Sequence, residues 1–210
     1  MSTFRFQPAA FIPFRDTAAI ARVRRIRRAD ITRHPNPDFR IRVIPDADVE
    51  RLWVRDMFTR IRESAEAGRR MVMIMPNPWP SYRKVAALIN RHGVSCRHLH
   101  TFNMDEYADQ DGHIAPVSWE LGFGHAFMEF FVAAIEPKLR PPTRQIHLLS
   151  DRTLPDYGRR LADLGGADIC YSGPGWAGHI AFVDPDTPEF ACSSVDEYLK
   201  LDARIVTLHP

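Results

Sequence analysis

The stretch NMDEYAD (103–109) follows the apolar run RHLHTF (97–102) directly and brings Asp105, Glu106 and Asp109 into one loop. Carboxylates in that place can cap the loop, move protons or hold a hard metal ion. Metal binding is the weakest of the three readings, because oxygen-ligated ions need several converging carboxylates and nothing else in the sequence is aimed here. A second stretch, GPGWAGHIAF (173–182), sets His179 behind Gly173, Gly175 and Gly178. Such glycines permit close backbone approach or unusual dihedrals, and successive N–H groups there can form an anion-binding nest. Asp184, five residues beyond His179, can orient the imidazole as supporting carboxylates do. By residue type alone, His179 reads equally well as a satisfied structural histidine. A third stretch, PNPWPSYRK (76–84), offers Asn77, Trp79, Ser81, Arg83 and Lys84.

Other constellations carry less. Gly173, Gly175 and Gly178 fit GxGxxG, but late in the chain and with only Glu197 near the offset of a ribose-binding acid. His98 and His100 alternate and are expected to share one strand face; no third zinc ligand can be named for them. Ser81 and Ser172 lack a GxSxG elbow, so a hydrolytic triad is unsupported. Cys96, Cys170 and Cys192 are dispersed, which excludes a disulfide framework and fits a reducing cytoplasm.

The elements that would position these loops can be read from periodicity. Asp46 or Asp48 starts a helix carrying Val49, Leu52, Trp53, Met57, Phe58, Ile61 and Ala65, ending near Gly68. MVMIM (71–75) is a short continuous apolar run, as a buried parallel strand requires. Ser81 is expected to cap YRKVAALINRH, with Gly93 as its stop. Strands are further expected at 39–44, 97–102, 145–149, 167–172 and 204–209, and helices around 119–135 and 154–164. The alternation implies an α/β fold, a three-layer Rossmann-like arrangement with a mostly parallel sheet and helices on both faces. Ligands in such folds lie beyond the carboxyl ends of the strands, which is where the three loaded stretches begin.

Composition sets the outer limits. Hydrophobic residues make up 45% of the chain and charged residues 26%, an ordinary globular balance. No apolar run long enough for a bilayer is present, so neither a membrane span nor a membrane partner is expected. Residues 1–45 hold ten arginines against three aspartates, a balance of +7, and the rest of the chain sums to −5. Ile20, Val23, Ile26 and Ile31 recur at roughly helical spacing, which suits a basic extension packed on the domain. A subunit or acidic-partner contact is the second reading. Nucleic acid is not expected, since no stacking platform accompanies the charge.

HTFNMDEYAD (100–109) and GHIAFVDP (178–185) resemble the two signature stretches of the glucosamine-6-phosphate deaminase/isomerase family, in the right order and at about the right separation. GHIAF separates this branch from the related phosphogluconolactonases, whose corresponding stretch resembles GHTASLF. The resemblance runs loosely from 49 to 210, so residues 46–210 are read as one sugar-phosphate isomerase-like domain. It implies that Asp105 is the base that moves a proton from C2 to C1, that His179 opens the sugar ring, and that Asp184 supports His179. It also implies an amino-sugar phosphate or related small anionic sugar as ligand, a homo-oligomer, and neither organic cofactor nor metal.

The chain diverges from the family at three places. Ala177 stands where the family has an aspartate, and Asp184 where it has a glutamate. PNPWPS replaces a loop like PTGGTP, exchanging N–H donors for Pro78 and Pro80. Family members also continue past the strand matching RIVTLHP, with more sheet and a phosphate-contacting lysine, so the domain is expected to be cut short at its C-terminal end. The expected substrate-binding set is Asn77, Trp79, Ser81, Arg83, Lys84, Glu106, Gly175, Trp176 and Gly178, with Ser81, Arg83 and Lys84 at the following helix start to meet a phosphate and Trp79 and Trp176 as stacking faces for a sugar. The alternatives are an enzyme of the same fold acting on a different sugar, and a non-catalytic sugar-phosphate-binding or regulatory protein.

Overall fold

The computed structural model describes residues 16–175, 178–184 and 187–208. In chain order these form α1 (Thr17–Val23), α2 (Asp46–Glu66), β1 (Met71–Met75), α3 (Tyr82–His92), β2 (Leu99–Asn103), α4 (Phe123–Phe127), β3 (Ile146–His147), α5 (Tyr157–Asp163), β4 (Ile169–Cys170) and α6 (Val195–Tyr198). The sheet order is β3–β2–β1–β4, and every ladder among the described strands is parallel. β1 and β2 run in register from Met71 opposite Leu99 to Met75 opposite Asn103.

Because side chains alternate across a strand, β1 and β2 feed two cores. Met71, Met73, Met75 and Leu99 pack against Val54, Met57, Phe58 and Ile61 of α2, Tyr82, Val85 and Ile89 of α3, and Phe127. Val72 and Phe102 face the other way, toward Tyr157, with Ile74, Leu161 and Leu164 closing over them. Helices therefore cover both faces, and the three-layer Rossmann-like arrangement is the observed one. Among the described residues no helix is long and apolar enough to cross a membrane.

Several local expectations change. Residues 39–44 and 204–208 are not strands. Their apolar alternation is present, but no neighbouring strand among the described residues supplies the hydrogen bonds that make a strand. The segments around 145–149 and 167–172 pair over two residues each. The helix expected across 119–135 begins only at Phe123 and passes into a π-helical turn, Met128–Val132. Ser81 does not cap α3; its backbone is helical and its hydroxyl bonds to Glu50 instead. Gly93 does end that helix, in the left-handed conformation with φ of 63°. His98 and His100 part company: His98 meets Ser64 of α2, while His100 meets His147 of the neighbouring strand. Residues 16–44 contain no buried residue, and their described approach to the domain is through Arg42 and Ile44, beside Trp53 and Asp56 of α2.

Candidate active site

Asp105 stands two residues past the last rung of β2. The β1–β2 ladder runs one bond further, Met104 N–H donating to Met75 O at 3.0 Å, so the loops after both strands leave side by side. Burial pushes the Asp105 carboxyl up to about 7, with help from the neighbouring Glu106 charge and against the pull of His179; desolvation of this kind disfavours the charged form. Its Oδ1 is buried without a hydrogen-bond partner. The carboxyl lines a cavity of about 620 Å³ shared with Tyr107, Phe123, Tyr157, Phe182 and Arg204.

Glu106 also lines the cavity, but its carboxylate is taken up by backbone N–H groups. Its Oε1 accepts from Tyr107 N–H and Phe123 N–H, both at 2.9 Å, and its Oε2 accepts from Gly124 N–H at 2.6 Å. The bonds to Phe123 and Gly124 satisfy N–H groups that the first turn of α4 leaves open and favour a helix start at Phe123.

His179 and Asp184 face each other across a tight hairpin. Ile180 and Val183 form an antiparallel bridge, and the two residues between them, Ala181 and Phe182, have φ of 55° and 58°. Positive φ at both central positions is the requirement of a type I′ turn. The turn places residues 179 and 184 opposite one another, and His179 Nδ1 meets Asp184 Oδ1 at 2.6 Å. A carboxylate oxygen accepts, so Nδ1 is the donor in this contact and Nε2 is left outside it. The imidazole lies so close over Gly175 that a Cβ there would overlap Nε2. Gly175 N–H also donates to His179 O at 2.9 Å, which ties the glycine loop to the hairpin. The turn residues Ala181 and Phe182 form cavity wall, with the Phe182 ring 5.4 Å from the imidazole. His179 is not itself among the lining residues, yet its charge acts on the Asp105 carboxyl.

Known proteins bear on this geometry. No family model matches the chain. Glucosamine-6-phosphate deaminase of Caenorhabditis elegans is 32% identical over 141 residues, covering 62% of this chain and 49% of the relative. The deaminase of a Porphyromonas gingivalis strain is 31% identical over 161 residues, covering 70% of this chain and 56% of the relative. The chain belongs to the glucosamine-6-phosphate deaminase family. It spans about half the length of the curated relatives it matches. Among solved structures, a monomeric glucosamine-6-phosphate deaminase superposes with a TM-score of 0.55 at 19% identity, over 68% of this chain and 57% of that one. A 6-phosphogluconolactonase from Thermotoga maritima superposes at 0.52 with 16% identity, over 65% of this chain and 60% of that one. These two likenesses speak for the fold.

The loop that replaces the family's phosphate loop is drawn away from the cavity. Ser81 and Lys84 both bond to Glu50 of α2, and Arg83 bonds to Glu129 while its guanidinium lies 4.3 Å over Phe130. Trp79 packs on Trp53 with ring centroids 4.7 Å apart. Asn77 donates to Met75 O at 3.1 Å. None of these residues lines the cavity among the described residues, where the one basic side chain is Arg204. Gly178, with φ of 80°, closes the turn under His179 by donating to Gly175 O at 2.9 Å. Trp176 and Ala177 lie outside the described residues. Among the described residues, no three His, Cys, Asp or Glu side chains are placed to hold a metal ion.

Sequence reasoning missed Asn103 and Thr101, both buried and both without side-chain hydrogen bonds. Their two-residue spacing from Asp105 on a strand was the available signal, since i and i+2 share a face.

Proposed function

We propose that the cavity is an aldose–ketose isomerase and deaminase site for an amino-sugar phosphate. Asp105 removes the C2 proton of the ring-opened sugar and returns it to C1. The resulting imine at C2 is hydrolysed by water, giving a ketose phosphate and ammonia. His179, with Nδ1 held by Asp184, acts through Nε2 on the ring oxygen during opening. The observation that carries this reading is Asp105, a carboxyl pushed up to about 7 with one oxygen unpartnered, lining the same cavity as the turn that joins His179 to Asp184. A base near neutrality takes and returns a carbon-bound proton most efficiently at physiological pH. The family membership supports the same chemistry.

The test is C2 hydrogen exchange of glucosamine 6-phosphate in deuterated water, followed by proton NMR together with ammonia release. The wild type is expected to exchange and release; Asp105→Asn is expected to do neither while keeping its fold. Exchange at the wild-type rate in Asp105→Asn would remove Asp105 from the mechanism.

A second reading is an enzyme of the same fold with a different sugar. It is favoured by one observation: Ser81, Arg83 and Lys84 are held by Glu50 and Glu129, leaving Arg204 as the basic side chain of the described wall. Faster turnover of the plain amino sugar than of its phosphate would select it.

A further inference from the structure

Two grooves of about 490 and 460 Å³ run along α2 and meet at Arg55 and Thr59, which line both. The walls of this trench set Arg42, Arg51, Arg55, Arg62 and Lys84 against Glu50 and Asp56. Half-buried apolar side chains contribute to its floor, Ile44 and Trp53 in one groove and Leu88 in the other. No residue of the trench lines the cavity that holds Asp105.

The charges divide into those already answered and those left over. Arg51 pairs with Asp48 at 2.9 Å, and Lys84 pairs with Glu50. Asp56 is taken by Arg60 Nε at 2.8 Å and by the Tyr171 hydroxyl at 2.6 Å. Both carboxylates of the wall are thus spent. Arg42 and Arg55 form no ion pair among the described residues. Arg62 has Glu66 only at 3.6 Å, and its Nε is buried without a hydrogen-bond partner. The guanidinium lies 5.7 Å from the centroid of the Phe58 ring, another residue of the same groove. A guanidinium can only donate, so this nitrogen calls for an acceptor, and a carboxylate matches its fork.

Spacing narrows the kind of acceptor. Arg55 and Arg62 stand seven residues apart on α2, close to two helical turns, so they share a face at a separation of about 10 Å. Arg51, about one turn before Arg55, continues the row. A second helix laid along α2, with acidic residues at the same seven-residue interval, meets both guanidiniums. Its apolar face then covers Leu88 and Trp53, as amphipathic helices do in apolar grooves.

We propose that this trench is a docking surface for an acidic amphipathic helix of a partner protein. The commitment to an acidic partner rests on charge: five cationic side chains face two carboxylates that are already neutralised. The surface is separate from the catalytic cavity and does not depend on the reaction assigned there.

The test follows the fluorescence anisotropy of a fluorescein-labelled peptide of two LEELLEE heptads on titration with the whole chain. Saturable binding is expected, weakening as salt rises to physiological strength. Arg55→Gln, at an exposed position, is expected to weaken binding several-fold. Arg55→Gln combined with Arg62→Gln is expected to weaken it at least tenfold, with the circular dichroism spectrum unchanged. Arg69→Gln, exposed and outside the trench, is the control and should bind as the wild type does. Absence of binding, or equal binding by the double variant, would overturn the proposal. Equal binding of a peptide with serine in place of every leucine would do the same, since it marks a general affinity for polyanions. Self-association of the chain that Arg55→Gln abolishes would give the trench to a second copy and overturn the proposal as well.

Discussion

Replacing Asp105 with asparagine is expected to stabilise the protein, and only above acidic pH. Burial lifts the Asp105 carboxyl from 3.8 to about 7. Below pH 3.8 the folded and unfolded chains both keep the proton, and the residue has no pH-dependent effect. Between 3.8 and about 7 the unfolded chain has released the proton while the folded one holds it. Stability there falls by about 1.4 kcal/mol per pH unit. Above that window the loss is complete, at roughly 2–4 kcal/mol once water penetration into the cavity is allowed for. Asparagine has the same shape and never ionises, so Asp105→Asn escapes this cost. For a chain of this length each kcal/mol moves Tm by about 2–4 °C, giving a gain of about 5–15 °C at pH 8 and almost none at pH 4. Thermal unfolding followed by circular dichroism at the two pH values reads the difference directly. A gain of equal size at both pH values, or a loss at pH 8, would refute burial of the charge as the origin of the shift. Such a trade of stability for a poised base is the pattern expected of a working site.

Three further outcomes follow from the geometry. Gly175→Ala places a methyl where the His179 ring now lies, and displacing that ring by about 1 Å is expected to cut C2 exchange on the order of a hundredfold with Tm changed little. At residue 181 the backbone has φ of 55°, which proline cannot adopt, so Ala181→Pro should open the hairpin and part His179 from Asp184. Loss of the low-field imidazole N–H resonance, with the core methyl spectrum intact, is the expected NMR signature. Glu106→Ala removes the acceptor for three N–H groups and should lower stability by about 2–4 kcal/mol in urea unfolding.

The parts of the fold that were legible in the sequence are those whose burial is complete. MVMIM announced β1 because both its faces are covered, and the apolar face of α2 was visible at Met57, Phe58 and Ile61, although Val54 was missed and Val49 is exposed. The segment FRIRVI had the alternation of a strand, but a strand exists only with a neighbour, and that is a long-range fact no local pattern contains. The late start of α4 depends on Glu106 reaching across 17 residues to Phe123 N–H, which spacing alone does not disclose. At the site, Asp105, His179 and Asp184 could be named from their motifs. The device that joins the last two could not: Ala181 and Phe182 adopt the left-handed conformation, for which alanine and phenylalanine are poor candidates. The hold of Glu50 on Ser81 and Lys84 was equally hidden, since it joins side chains from two helices far apart in sequence.

That hold has a kinetic consequence. With Lys84 paired to Glu50 and Arg83 to Glu129, the positive charge at the start of α3 is cancelled where it stands. The cavity wall sets Glu106, Asp109 and a partly protonated Asp105 against Arg204, a formal balance that is negative. Its field reaches out over one Debye length, roughly 8 Å at physiological salt. Under the proposed function, a sugar carrying an ammonium group and a phosphate would be turned before it touches the protein, nitrogen end inward. Added salt should slow the capture of such a sugar less than it slows a purely cationic one, and Glu50→Gln, by releasing Lys84, should weaken the preference for the nitrogen end.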